Sequence, residues 1–182
     1  MADVMIDLET VSVRPDCVIL SIGAVLFDPH GDGVVDKLDI KPDVDEQIAL
    51  GRYVDPSTIN WWATQSKAAQ DEAFSVGDRI PFRDAIEQVR KFSWNHRAVW
   101  SNGAVFDIVI MENCFRQLAM NTPWEFWKAR DTRTLYEIAD VSLKDGGHVT
   151  SHKAVEDAER QAIVVQQAYR KLKLFNHRLQ LA

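Results

Sequence analysis

Two acidic side chains interrupt the first apolar segment of the chain, Ile6-Asp7-Leu8-Glu9-Thr10. If this segment is a β-strand, its period of two places Asp7 and Glu9 on one face and Ile6 and Leu8 on the other. Neighbouring carboxylates repel each other unless they share a cation. The pair fits either a metal site or the exposed polar face of an edge strand, and taken alone it favours the polar face.

A third carboxylate, Asp107, interrupts the apolar run from Val105 to Ile110. Carboxylates are seldom buried in such surroundings without a partner or a metal ion. Asp107 also falls in the first turn of a predicted helix, where the macrodipole stabilises an anion. Metal binding and helix stabilisation explain this residue about equally well.

A His-x4-Asp pattern, His152 and Asp157, marks the start of the last predicted helix. Asp157 borders an apolar stripe, so it should face the sheet, and His152 lies about 7.5 Å earlier along the helix axis. Ser151 is a candidate N-cap beside the histidine. The alternative is a solvated acidic helix start, since Glu156 and Glu159 flank Asp157.

The chemistry available to these residues is metal-assisted proton transfer. Carboxylates are hard oxygen ligands, which suit Mg²⁺ or Mn²⁺ far better than zinc. An imidazole suits a general base that works near neutral pH. The set therefore predicts hydrolysis by a metal-activated water, provided that the fold brings the five side chains together.

The segments around these residues predict an α/β protein with a mixed five-stranded sheet flanked by helices. Three β-rich runs, 4–8, 18–27 and 34–40, are joined so as to form an opening antiparallel meander, and two more strands are predicted at 98–100 and 127–129. Helices are predicted from Pro56, from Pro81, over 132–138 and over about 153–172. A doubly wound dinucleotide fold is excluded because no glycine-rich turn follows the first strand.

One further helix is predicted after the fourth strand. Its apolar face is expected to contain Val105, Ile108, Val109, Phe115 and Leu118.

The order D-x-E, then an aspartate after a strand, then H-x4-D on the last helix resembles the DEDDh branch of the DnaQ-like exonuclease superfamily. The resemblance extends from Ile6 to about Ala162. Two segments, 57–66 (STINWWATQS) and 126–134 (FWKARDTRT), are similar to the phage exonuclease A-type enzymes. Asn102-Gly103-Ala104 stands where relatives often carry an R-G-x sequence, so no arginine is transferred to that position.

The resemblance implies a ribonuclease H-like fold and a single exonuclease domain over residues 1–182. The implied activity is 3'-5' hydrolysis of nucleic acid with a free 3' end, releasing nucleoside 5'-monophosphates, with single-stranded DNA favoured and RNA possible. Two divalent ions, Mg²⁺ or Mn²⁺, are the implied cofactors. Asp7 would bridge them, Glu9 and Asp157 would complete one site, and Asp107 would hold the second ion.

His152 is the implied general base, and His148 is the alternative, although its separation from Asp157 fits the family spacing poorly. Candidate substrate contacts are Leu8, Thr10, Trp61, Trp62, Asn102, Phe106, Arg130 and Arg133. For the two tryptophans a core position is slightly favoured over base stacking. Each arginine, taken singly, fits a solvated surface better than a phosphate contact.

Composition fits one cytoplasmic domain. The 182 residues are 46% hydrophobic, and the two cysteines form neither a CxxC pair nor a disulfide framework. No segment approaches the length of a membrane span. The net charge of −6 argues against general binding of polyanions but allows a local, metal-dependent attraction.

Two other interpretations stay open. A catalytically silent DnaQ-like module could bind nucleic-acid ends or scaffold a complex, although such modules usually lose a carboxylate. A ribonuclease H-like endonuclease is disfavoured by the H-x4-D pattern. A homodimer is possible, but no motif demonstrates an interface.

Overall fold

The structure is a computed structural model that describes residues 2–146 and 152–174, and the fold is given for these residues. Its strands are β1 (Asp3–Thr10), β2 (Ile19–Phe27), β3 (Val34–Pro42), β4 (Arg79–Ile80), β5 (Val99–Ser101) and β6 (Ala129–Asp131). Its α-helices are α1 (Val44–Ala49), α2 (Pro56–Trp62), α3 (Lys67–Phe74), α4 (Phe82–Phe92), α5 (Asp107–Gln117), α6 (Thr132–Ala139) and α7 (Ala154–Lys171).

The six strands form a mixed sheet in the order β4-β3-β2-β1-β5-β6. β1, β2 and β3 pair in antiparallel fashion, which confirms the predicted meander, and β5 and β6 continue the sheet in parallel with β1. The sheet has one strand more than the five predicted. β4 has only two residues, which pair with Lys41 and Pro42 at the edge, and this is too short to produce a periodic pattern.

The alternation of β1 separates the two faces of the sheet. Val4, Ile6 and Leu8 pack in a core cluster with residues of α4 and α5, whereas Met5 packs with residues of α7 on the opposite face. By the same period of two, Asp7 and Glu9 point toward α7. The predicted apolar stripe of α7 accounts for its contact with the sheet, since Ala154, Ala158, Ala162 and Val165 are all buried.

Two details of the predicted elements are wrong. Val105 is 86% exposed because it lies in the turn before α5, where the amide of Phe106 donates to the carbonyl of Gly103; Val109 is also exposed. The last strand begins at Ala129 rather than Trp127, because Phe126–Lys128 forms a 3-10 turn. α1 and α3 were not predicted, and at six and eight residues both are short.

Among the described residues, no helix has both the length and the hydrophobicity that crossing a membrane requires.

Candidate active site

Three of the predicted carboxylates meet where α7 begins above the centre of the sheet. Asp7 and Glu9 extend from β1, and Asp157 lies in the first turn of α7. One carboxylate oxygen from each of the three lies within 4.8 Å of the others. Residues 150 positions apart in the chain therefore form one compact group of oxygen ligands.

The close approach of α7 to the sheet depends on Gly23 in β2. Gly23 is the register partner of Asp7, and a Cβ atom at this position would lie 2.1 Å from the carbonyl carbon of Ala154 and from the amide nitrogen of Val155. Only glycine lets the helix backbone come this near. Gly23 thus determines the distance between the sheet and the turn of α7 that contains Asp157.

Asp107 flanks this group from the first turn of α5. It is 4% exposed, and its Oδ1 accepts a hydrogen bond from the amide of Leu8 at 3.1 Å. That bond ties the start of α5 to β1 between Asp7 and Glu9. Asp107 is outside the group of three, but its charge raises the pKa of Asp7 and of Glu9.

Burial and mutual repulsion make the ionised cluster unfavourable. Burial, followed by repulsion from Asp107 and Glu9, raises the pKa of Asp7 well above its usual range. Burial, with repulsion from Asp157 and Asp107, raises the pKa of Glu9 to about 8. Burial raises the pKa of Asp107 to about 7 and also raises that of Asp157, against the opposing charge of Arg160. Four charged carboxylates in this space need a cation, and their oxygens suit Mg²⁺ or Mn²⁺.

His152 lies two residues before α7, with a backbone φ of +52°. Its Nδ1 is 3.9 Å from Oε1 of Glu9. The ring makes edge-to-face contacts with Trp61 and Trp62, at centroid distances of 5.6 and 5.7 Å. The imidazole is thus held beside the carboxylates by two aromatic rings. The alternative base His148 and the proposed N-cap Ser151 lie outside the described residues.

The two tryptophans differ in their surroundings. Trp62 is 1% exposed, and its Nε1 donates to the carbonyl of Thr10 at 2.9 Å, so it belongs to the core. Trp61 is 45% exposed beside His152. Of the pair, Trp61 has the surface that a nucleobase could contact.

The side chains of Leu8 and Thr10 have mainly structural contacts. The side chain of Leu8 is buried in the core, and the Thr10 hydroxyl is buried and donates to the carbonyl of Ser12 at 2.8 Å. Their side chains offer a nucleotide little surface.

The remaining candidates for substrate contact surround the loop between β5 and α5. Asn102 Oδ1 accepts a hydrogen bond from the Thr132 hydroxyl, and Phe106 packs against the core. The guanidinium of Arg133 lies over Gly103, 3.3 to 3.5 Å from where a Cβ would stand, and its charge partly opposes the rise in the pKa of Asp107 that burial causes. Arg130 is exposed but donates to the carbonyls of Trp127 and Ala129. Of the two arginines, Arg133 is therefore the one whose charge acts on Asp107.

Sequence reasoning missed two side chains that hold the site together. Gln161 Nε2 donates to Asp7 Oδ1 at 2.7 Å. Asp131 caps α6 by accepting from the amide of Arg133, and it also accepts from the amide of Ala104, which fixes the loop before α5. A polar residue inside the apolar stripe of α7 was the available signal for Gln161.

A mixed sheet of this topology, with D-x-E on its central strand, an aspartate at the start of α5 and H-x4-D at the start of α7, defines a DEDDh exonuclease with a ribonuclease H-like fold. The family described as the 3'-5' exoribonuclease Rv2179c-like domain matches residues 2–169, and the chain belongs to this family. The resemblance predicted from the sequence is confirmed, and the protein is a 3'-5' exonuclease.

Individual proteins agree with this assignment. The chain is 28% identical to an exodeoxyribonuclease of Enterobacteria phage T4 over 93% of this chain and 90% of that protein. Its fold is similar to E. coli exonuclease I in complex with a dT13 oligonucleotide (TM-score 0.70, 14% identity, 97% of this chain and 43% of that one). It is also similar to the nuclease domain of 3'hExo, a DEDDh family member bound to rAMP (TM-score 0.62, 12% identity, 93% and 92%). The chain thus spans less than half the length of exonuclease I.

Proposed function

We propose that this exonuclease removes nucleotides from the 3' end of single-stranded DNA, using two divalent ions and His152. The observation that carries the proposal is the convergence of oxygens from Asp7, Glu9 and Asp157 within 4.8 Å of one another, with the His152 ring beside Glu9. The proposal includes a single exonuclease domain over residues 1–182. The cytoplasmic location and the homodimer stay predictions from the sequence.

The four carboxylates divide into two sets of ligands that share one member. By the family resemblance, Asp7, whose pKa is raised by the charges of the other three carboxylates, would serve both ions. Glu9 and Asp157 would complete one site with it, and Asp107 would contribute to the other. When bound, Mg²⁺ or Mn²⁺ supplies positive charge to the phosphate and makes the attacking water more acidic.

His152 is the base in this proposal. It accepts a proton from the attacking water as the water oxygen bonds to phosphorus and the bond between phosphorus and the 3' oxygen breaks. The 3' oxygen leaves with the bonding electrons and takes a proton from solvent water, so the shortened strand ends in a 3' hydroxyl and the released product is a nucleoside 5'-monophosphate. The protonated imidazole of His152 returns its proton to solvent. Trp61 and Trp62 limit the movement of the ring and keep it beside Glu9.

Substrate contacts are proposed for the groups that face the site with exposed surface. The guanidinium of Arg133, which lies over Gly103, is placed to contact a phosphate, and Trp61 offers a ring to the terminal base. DNA is favoured because the similarity to the T4 exodeoxyribonuclease extends over nearly all of both chains. The family description, which names an exoribonuclease, supports RNA as the second candidate.

The test compares matched single-stranded DNA and RNA oligonucleotides, labelled at the 5' end, with Mg²⁺ and with Mn²⁺. We expect a ladder of products shortened from the 3' end, faster on DNA, and none from the Asp7→Asn variant. Faster hydrolysis of RNA would assign the substrate to the second candidate. Binding without shortening would indicate a silent end-binding module, and cleavage of circular DNA would indicate an endonuclease.

A further inference from the structure

Gln161 on α7 makes a contact with the metal site that the proposed mechanism does not use. It lies one helical turn after Asp157 and is 3% exposed. Its Nε2 donates to Oδ1 of Asp7 at 2.7 Å. Its backbone carbonyl accepts a hydrogen bond from the Tyr136 hydroxyl at 2.8 Å, which anchors this turn of α7 to α6. The amide is therefore fixed by its own helix and aimed at one carboxylate.

The other end of the Gln161 side chain has no hydrogen-bond partner in the part of the chain that the structure describes. Its Oε1 is buried and accepts no hydrogen bond from the described residues. A buried polar atom without a partner destabilises a protein, and an apolar side chain of similar shape would avoid this loss. If the amide were rotated by half a turn, Oε1 would face the Asp7 oxygen, and the two acceptors would repel each other. The observed orientation thus gives Asp7 a hydrogen bond and leaves Oε1 of Gln161 without one among the described residues.

Gln166, on the same helix, is a buried glutamine with a structural role and serves as a comparison for Gln161. It is 1% exposed, and it donates to the carbonyls of Asp28 and Gly33 while accepting from the amide of Gly33. Both of its ends bind backbone of the β2–β3 connection, far along the helix from the carboxylates. Gln161 differs because its only side-chain hydrogen bond within the described residues goes to a predicted metal ligand.

We propose that Gln161 is a positioning residue for metal binding, which fixes the orientation of the Asp7 carboxylate so that its remaining lone pairs face the ions. This inference rests on the proposed function, in which Asp7 serves both ions. Outer groups that orient a ligand commonly change metal affinity or activity by roughly 10- to 100-fold when they are removed. Gln161 itself contacts neither the substrate nor the reacting atoms in this scheme.

The test is Gln161→Met, which keeps the approximate length of the side chain and removes the donor, with Gln166→Met as the matched control. Binding of Mn²⁺ to the folded proteins is measured by calorimetry, and the Mn²⁺ concentration for half-maximal hydrolysis is measured beside kcat. We expect the Q161M variant to bind Mn²⁺ about 10- to 100-fold more weakly, with kcat largely recovered at saturating Mn²⁺. The Q166M variant should keep the Mn²⁺ affinity and kcat of the wild type, although its lost backbone hydrogen bonds lower the unfolding temperature.

A merely structural role for Gln161 makes a different prediction. Both variants would then lower the unfolding temperature of the metal-free protein while leaving Mn²⁺ affinity unchanged. Wild-type Mn²⁺ affinity in Q161M would overturn the inference and leave the proposed function intact. Failure of the wild type itself to bind Mn²⁺ or to shorten DNA would overturn both.

Discussion

Each ionised carboxylate of the site destabilises the fold because it is buried, and only as a group can the carboxylates bind a cation. Asp7, Glu9, Asp107 and Asp157 each have a raised pKa, and burial is the first cause in every case. A bound cation offsets both the burial and the repulsion. Stability, pH and metal binding should therefore be linked at this site.

The metal-free protein should lose stability as the pH rises from about 5 to about 8. The folded state holds the Glu9 proton up to a pKa of about 8, whereas the unfolded chain releases it near 4.5, so raising the pH favours unfolding across this window. Glu9→Gln removes this contribution, so we expect a flatter pH dependence in urea unfolding with a chelator present. Parallel curves for the variant and the wild type would refute the linkage.

His152→Ala should slow hydrolysis by roughly 10²- to 10⁴-fold, because the variant lacks the proposed base for the attacking water. Single-turnover measurements with saturating Mg²⁺ separate this step from binding. The matched control is His30→Ala, which changes a histidine that packs on Tyr169 instead. A wild-type rate for His152→Ala would remove His152 from the mechanism.

Strand and helix periods placed the four carboxylates and the histidine but left a structural explanation open for each one. Their order along the chain, through its resemblance to the DEDDh exonucleases, predicted them as one site. Gln161 was not predicted. Its contact joins residues 154 positions apart, and no local period reports such a distance. The same holds for Arg133, whose guanidinium reaches Gly103 from a different element.

At the scale of elements, the site depends on how closely α7 approaches the sheet. Gly23 in β2 faces the backbone of Ala154 and Val155 at the first turn of α7, which carries Asp157. His152 lies two residues before the same turn. Any displacement of this turn would move the proposed metal ligand Asp157 and the proposed base His152 together.

Gly23→Ala should displace the start of α7, since its Cβ would overlap helix backbone that cannot move aside as a side chain could. We expect loss of Mn²⁺ binding, hydrolysis reduced by more than about 100-fold, and a lower unfolding temperature. Gly77→Ala is the control, because a Cβ there meets nothing within 4 Å. A Gly23→Ala protein with normal Mn²⁺ affinity and activity would contradict this account of the site.

Long periodic elements were predicted well, and short ones were not. The meander and α7 repeat an apolar pattern over enough residues to identify them from the sequence. β4 forms through pairing with Lys41 and Pro42, and the 3-10 turn at Phe126–Lys128 delays β6 by two residues. The pairing of β4 is a tertiary contact, which a single sequence does not display, and the three-residue turn is too short to produce a periodic pattern.

At the scale of the whole molecule, the net charge of the protein has the same sign as the charge of its substrate. The chain carries 27 acidic and 21 basic residues, giving a net charge of −6, yet it belongs to a family of enzymes that act on a polyanion. In the proposed mechanism, divalent ions would resolve the conflict by placing positive charge at the point where the phosphate must approach. The central claim is therefore that the converging carboxylates hold a pair of ions.

The most direct test counts Mn²⁺ bound per chain, by calorimetry, with thymidine 5'-monophosphate present as a product ligand. We expect two Mn²⁺ in the wild type, and the loss of both in Asp7→Asn because Asp7 is proposed to serve both sites. A wild-type protein that binds one ion or none, or an Asp7→Asn protein that still binds two, would contradict it.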